Sequence, residues 1–217
     1  MTKAEKVYEL LKDDYPNAKC GLDYKTPFQL LVSTVLSAQA TDKSVNAVTQ
    51  GLYEKYPDLD SFLSLTQEEI EEKIRKIGLY KNKSKNIYKM CRELKERHNG
   101  EVPKNMDELM LLSGVGRKTA SVVLVEAFNI PAFPVDTHVF RLTRRIGLSK
   151  GATPDKVSDE MMKKLPKYKY HLMHHLLITH GRETCTAQKP KCDSCSLRDI
   201  CKYYKENKGK NTKSNKV

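Results

Sequence analysis

Apolar residues recur three and four positions apart through Val7, Leu10 and Leu11, through Leu31, Val35 and Leu36, through Ile70, Ile74 and Ile77, and through Ile87, Met90 and Leu94. That spacing follows one face of an α-helix rather than the alternation of a half-buried strand. Alternating runs closed by Asn-Gly or Asp-Gly are missing, and Asn99-Gly100 stands between two helical patterns. The pattern predicts an all-α protein. Breaks near Pro27, Pro57 and Gly78, at 100–103, 113–116, 131–134 and 147–154, and at Pro166 divide it into about ten helices.

Length and charge narrow the class. A chain of 217 residues buries enough apolar surface to build a core without disulfide staples. Its 39 Lys and Arg against 27 Asp and Glu give a formal charge of +12, the electrostatic footprint of a nucleic-acid binder, although charge also serves solubility. Residues 202–217 hold six Lys and one Glu and read as a disordered basic tail. The longest stretch without formal charge, residues 26–41, carries Thr, Ser and Gln and is shorter than the roughly 18 apolar residues of a membrane span. The opening MTKAEKVYELLKDDYP has no apolar run followed by small residues, so it does not read as an export signal and a cytoplasmic protein is expected.

Three segments carry candidate chemistry. In MDELMLLSGVGRKTASVVLVEAF, a short amphipathic run is followed by Ser113-Gly114-Val115-Gly116 and then a second helix starting near Arg117. Gly114 and Gly116 permit a very tight reversal, and Val115 plugs the gap between the helices. Such a turn aims unpaired N–H groups and a helix N-terminus at solvent, which suits a phosphate oxygen without reading sequence. The same turn also serves as an ordinary connection. Lys118 falls in the first turn of the second helix, where the dipole disfavours a cation, and a neutral amine there is a nucleophile; a solvated or phosphate-contacting lysine fits the same spacing. Asp136 precedes the apolar-periodic Val139, Leu142 and Ile146, the place of an N-cap that bonds the N–H of His138 or Val139. Cys185, Cys192, Cys195 and Cys201 fall within 17 residues as C-x6-C-x2-C-x5-C, while Cys20 and Cys91 stand alone. Clustered thiols without an export signal point to metal, with zinc and iron-sulfur both allowed by the spacing.

Leu112-Ser113-Gly114-Val115-Gly116-Arg117-Lys118-Thr119-Ala120 closely resembles the helix-hairpin-helix of the endonuclease III family of DNA glycosylases. Leu36-Ser37-Ala38-Gln39-Ala40-Thr41-Asp42, Ile77-Gly78-Leu79-Tyr80, Val135-Asp136-Thr137-His138 and the four cysteines resemble the same family in the same order, over roughly residues 4–203. The resemblance implies two helical domains with a cleft between them, residues 22–132 carrying the hairpin and residues 1–21 with 133–217 carrying the cysteines. It implies a [4Fe-4S] cluster on Cys185, Cys192, Cys195 and Cys201, structural or DNA-contacting, with Lys189, Lys191 and Arg198 placed for phosphates. It also implies that Lys118 and Asp136 form the working pair of a base-excision enzyme. That enzyme would act as a monomer on duplex DNA holding damaged pyrimidines or abasic sites, releasing the base through a lysine Schiff base and cutting the strand by β-elimination.

Within that reading, Gly114, Val115, Gly116 and Arg117 face the DNA backbone, and Gln39 and Leu79 fill the hole left by an everted nucleotide. The alternatives are that Gln39 caps a helix, Leu79 packs beneath a turn and Asp42 caps a helix over 43–53. His138 would orient Asp136, contact phosphate or line the cleft wall. His171, His174 and His175 are assigned packing and hydrogen bonding beside the cluster rather than a metal. Two other functions compete: a monofunctional mismatch glycosylase, whose lysine position holds another residue and whose adenine-specific members carry a further C-terminal domain, and a non-catalytic hairpin module that binds DNA. Lys118 and Asp136 together count against both.

Overall fold

The computed structural model describes residues 1–207; residues 208–217 of the expected basic tail lie outside the described residues. Among the described residues there are twelve α-helices, two short 3-10 turns and no strand. Backbone contacts group the chain into Cys20–Ile130 and Met1–Lys19 with Pro131–Val217. The chain opens in the second of these with α1 (Lys3–Asp14). It then builds the internal unit from α2 (Pro27–Leu36), α3 (Asp42–Lys55), α4 (Leu59–Leu63), α5 (Gln67–Lys73), α6 (Tyr80–Arg97), α7 (Met106–Met110) and α8 (Arg117–Phe128). It returns with α9 (Thr137–Ile146), α10 (Pro154–Lys164), α11 (Tyr170–Glu183) and α12 (Lys202–Asn207).

In the internal unit α2 is the central element. Thr26 accepts the Gln29 N–H, Pro27 occupies the first helical position where it has no donor to lose, and every residue from Phe28 to Leu36 is buried. One face of α2 meets α8, whose Ala120, Val123 and Leu124 are buried in turn. Burying α2 all round brings polar groups inside, and they satisfy one another. Tyr53 Oη donates to the Gln29 carbonyl at 2.8 Å and lies 2.7 Å from Ser33 Oγ, while Gln29 Nε2 donates to the Pro57 carbonyl at 2.9 Å. α6 presents Ile87, Met90, Cys91 and Leu94 to the core at helical spacing. It ends where Asn99 and Gly100 take left-handed backbone and the Gly100 N–H returns to the Leu94 carbonyl.

The other unit packs α1, α9, α10 and α11 around Val7, Leu11, Phe133, Leu142, Met161, Met173 and Leu176. Thr2 and Glu5 close a reciprocal capping box at the start of α1. Gly147 stops α9 with φ +85°, a left-handed cap from which Leu148 N–H reaches the Thr143 carbonyl at 2.7 Å.

Two expected boundaries shift. α3 starts at Asp42 and runs to Lys55, because the hydroxyl of Thr41, not the carboxylate of Asp42, accepts the Ser44 N–H. Residues 202–207, read from composition as tail, are helical. The Lys205 N–H bonds the Cys201 carbonyl, Lys202 pairs with Glu206 at 3.6 Å, and the Arg145 guanidinium lies 4.9 Å from the centre of the Tyr203 ring.

Burial pushes the Cys91 thiol up to about 12, whereas in the unfolded chain it titrates near 8.5. The stability lent by burying the neutral thiol is therefore complete below about pH 8.5 and falls as the pH climbs from there toward 12. At pH 8, iodoacetamide should leave Cys91 unmodified in the folded protein and modify it in denaturant. Prompt labelling of folded protein would contradict the packing of α6.

Candidate functional site

The hairpin is built from α7, the turn at 113–116 and α8. Asn105 caps α7 by accepting the Glu108 N–H, and the Val115 N–H returns to the Leu112 carbonyl at 3.1 Å. Gly114 has φ +79°, and a Cβ there would stand 2.8 Å from the Cβ of Asn86 in α6, so both backbone and space demand glycine. Gly116 is different, with φ −96° and open space around it. It begins α8 without a side-chain cap. Val115 is buried as expected. Glu93 of α6 takes the Ser113 N–H at 2.7 Å on one oxygen and the Ser113 hydroxyl at 2.8 Å on the other, which fixes the entry to the turn.

Lys118 is exposed in the first turn of α8. Its charge is felt by Cys20, whose thiol burial pushes up to about 11, with the Glu126 and Asp42 carboxylates adding to the rise and Lys118 opposing it. In the same unit, Gln39 and Leu79 both adopt left-handed backbone, φ 54° and 59°, which costs a non-glycine residue roughly 1–2 kcal/mol and is concentrated at functional sites. Their loops are neighbours, since a Cβ on Gly78 would lie 3.9 Å from the Gln39 carbonyl oxygen. Gln39 is exposed and Leu79 is 57% exposed, so Leu79 does not pack beneath its turn. Neither strain nor exposure could be read from composition.

Asp136 caps α9, its Oδ1 accepting the Val139 N–H at 2.8 Å. The carboxylate is half-buried, and the cap engages one oxygen. Two residues earlier the Pro134 carbonyl lies 2.9 Å from Nδ1 of the buried His174, which pins the segment leading to the carboxylate. His138 turns elsewhere: its Nδ1 lies 3.3 Å from Arg141 Nη2, which also donates to the Gly181 and Cys185 carbonyls at 3.0 Å each.

Cys185, Cys192, Cys195 and Cys201 line one pocket together with Arg145 and His180. Arg145 donates to the Thr186 and Ala187 carbonyls at 2.7 and 2.6 Å and its Nη1 lies 3.7 Å from Cys185 Sγ. His180 Nε2 lies 3.6 Å from Cys195 Sγ, and its Nδ1 is 3.1 Å from the hydroxyl of Tyr15, itself 2.8 Å from Thr184 Oγ1. Burial pushes His180 down to about 4, against the pull of Asp14, so the ring is neutral near pH 7 and has one N–H to offer. Burial and the neighbouring thiols push Cys195 up to about 11. Four sulfurs crowded in one cavity, with a guanidinium and an imidazole beside them, fit a cationic metal centre that takes all four as thiolates. His180 and Tyr15 escape a reading of the sequence because 165 residues separate them.

Residues 32–167 match the HhH-GPD superfamily of base excision DNA repair proteins, and residues 185–201 match the iron-sulfur binding domain of endonuclease III. The endonuclease III of Synechocystis sp. is 46% identical over 92% of this chain and 91% of its own length. That of Escherichia coli K12 is 44% identical over 94% and 97%. A solved structure of a trapped endonuclease III-DNA covalent intermediate superposes with a TM-score of 0.89 at 43% identity, covering 96% of this chain and all of that one. A thermostable thymine-DNA glycosylase, 23% identical with a TM-score of 0.84 over 94% of this chain and 97% of its own, shares the fold. The match over 185–201 decides between the two metals left open by spacing, in favour of a [4Fe-4S] cluster. With the hairpin, the capped carboxylate and the cysteine-lined cavity all falling inside these matches, the chain belongs to the endonuclease III family of base excision DNA repair enzymes, which pair DNA glycosylase with abasic-site lyase activity.

Proposed function

We propose that this enzyme removes oxidised pyrimidines from duplex DNA with Lys118 as nucleophile and Asp136 as the supporting carboxylate, acting as a cytoplasmic monomer. Among the described residues no helix is long and apolar enough to cross a membrane. The observation that carries the reading is an exposed lysine two residues after the uncapped N-terminus of α8, on a hairpin whose turn has room for no residue but glycine at 114.

The duplex backbone sits on the N–H groups of the turn, with Gly114, Val115, Gly116 and Arg117 as its contacts. Gln39 and Leu79 enter the stack where the damaged nucleotide has left it, Leu79 with its exposed apolar side chain as the wedge. The neutral Lys118 amine donates its electron pair to C1′, and the bond to the base breaks with its electrons leaving on the base nitrogen, which takes up a proton. Charge that develops on the sugar is stabilised by Asp136, whose second oxygen is left over from the cap. Nitrogen electrons then open the sugar ring to an imine at C1′. Loss of a proton from C2′ drives elimination of the 3′ phosphate, and water releases the lysine. Cys185, Cys192, Cys195 and Cys201 would hold the [4Fe-4S] cluster, whose four Fe–S bonds would cross-link the 185–201 segment.

Borohydride reduction during turnover on a duplex holding one oxidised pyrimidine should give a covalent protein-DNA adduct, absent in Lys118→Gln. That variant should lose both base release and strand cleavage while binding the duplex within about threefold of the native protein. Strand cleavage by Lys118→Gln would overturn the assignment. Asp136→Asn and Asp136→Ala separate the carboxylate's two roles. Asparagine caps as well as aspartate, so Asp136→Asn should keep its melting temperature yet lose base release by about 10²-fold or more, while Asp136→Ala should also lose about 1 kcal/mol of stability. Equal activity of native protein and Asp136→Asn would leave the carboxylate with capping alone.

A further inference from the structure

α6 is the most basic helix of the chain, with seven Lys and Arg against Glu93 and Glu96. Its charges are sorted by face. Ile87, Met90 and Leu94 define the buried stripe, whereas Lys81, Lys85 and Lys89 recur at four-residue spacing and are all exposed. None of these three lysines forms an ion pair among the described residues, and Glu93 on the flank is committed to Ser113. Glu96 is the one acidic residue that shares their side, one turn beyond Arg92.

Half of the helices among the described residues, α2, α6, α8, α9, α11 and α12, carry no acid in the first turn. Helices α1, α3, α4, α5, α7 and α10 put an acidic residue in the first turn, where it complements the dipole. α6 puts Lys81 there and Lys83 directly after it, with no acid. Lys83 falls on the buried stripe, is 4% exposed, and its ammonium has no hydrogen-bond partner. Burial pushes the Lys83 amine down from the ordinary lysine range, which eases the cost of burying it, and its place on the buried stripe sets it apart from the exposed lysine face.

We infer that the Lys81, Lys85 and Lys89 face of α6 is a second seat for the DNA backbone, continuous with the hairpin and indifferent to the lesion. Two contacts make the continuity: Gly114 of the turn abuts Asn86, and Ser113 is tied to Glu93, both on the flank of α6 beside the lysine face. Leu79 immediately precedes the helix. Four-residue steps advance about 6 Å, so the three ammonium groups span about 12 Å, matching a strand that carries a phosphate every 3.4 Å or so of helix rise. Lysine binds phosphate as a point charge and reads no base, so this face holds undamaged and damaged duplex alike.

The inference rests on the hairpin facing DNA, and the experiment separates the two. Binding of a fluorescent undamaged duplex is measured by anisotropy between about 50 and 300 mM NaCl, with abasic-strand cleavage followed in parallel. Against the native protein, Lys81→Ser/Lys85→Ser/Lys89→Ser should flatten the slope of log affinity against log salt by about 2.7, one neutralised phosphate per lysine. Affinity for damaged and undamaged duplex should fall by the same factor, and single-turnover cleavage at saturating protein should be unchanged. Arginine at the three positions should restore the slope. Lys12→Ser/Lys163→Ser/Lys167→Ser removes equal charge from exposed positions elsewhere and should leave the slope as it was. An unchanged slope in the first variant, or an equal loss in the second, would overturn the inference while cleavage stood. A native protein that neither bound nor cut duplex would overturn the hairpin reading with it.

Discussion

Much of the internal unit's chemistry hangs on one carboxylate. Glu93 takes both donors of Ser113, and through that clamp the hairpin turn is tied to the side of α6. Glycine at 114 lets the turn come close enough for the clamp to form, because any side chain there would collide with Asn86. With the turn held, α8 starts after Gly116 without a cap from that residue's side chain, and its buried residues run on against α2. The place of Lys118 in the first turn of α8 thus follows from how a short loop is fastened to its neighbour.

In the other unit, arginine does the fastening. Arg141 and Arg145 lie one turn apart on α9 and reach the Gly181 carbonyl of α11 and carbonyls of the cysteine segment at 185, 186 and 187. The helix that Asp136 caps is therefore the helix from which that segment is hung. Guanidinium suits the task because its planar fork reaches several carbonyls at once and never loses its charge. His180 adds a neutral donor whose orientation Tyr15 and Thr184 set.

Much of this was legible in the residues. Helical spacing located α2, α6 and α9; Gly114 and Gly116 marked the reversal; four cysteines in 17 residues marked the metal segment. What was hidden depends on partners far apart in the chain or on backbone angles. Gln39 and Leu79 carry no mark of left-handed backbone, since their side chains neither favour nor need it. Lys83 is polar, so a pattern of apolar spacing passes over it, yet it occupies a core position one turn ahead of Ile87. For His138, which the sequence left open between orienting Asp136, contacting phosphate and lining the cleft wall, the neighbour is Arg141, one turn along α9. Composition made residues 202–207 a tail; the aromatic face of Tyr203 under Arg145 made them a helix.

The return of the chain to its first unit sets an order on synthesis. Residues 20–130 emerge from the ribosome consecutively and can collapse on one another as soon as α8 is out. α1 emerges before any of them, yet Val7 and Leu11 are covered by residues of α9, α10 and α11, and Asp14 and Tyr15 find Ser196 and His180 only when translation is nearly complete. For most of the time the protein is being made, its first helix is an amphipathic segment without a core. The charges spaced along that helix, Lys3, Glu5, Lys6, Glu9 and Lys12, then have a second use: they keep a nascent chain soluble while it waits for its own C-terminus.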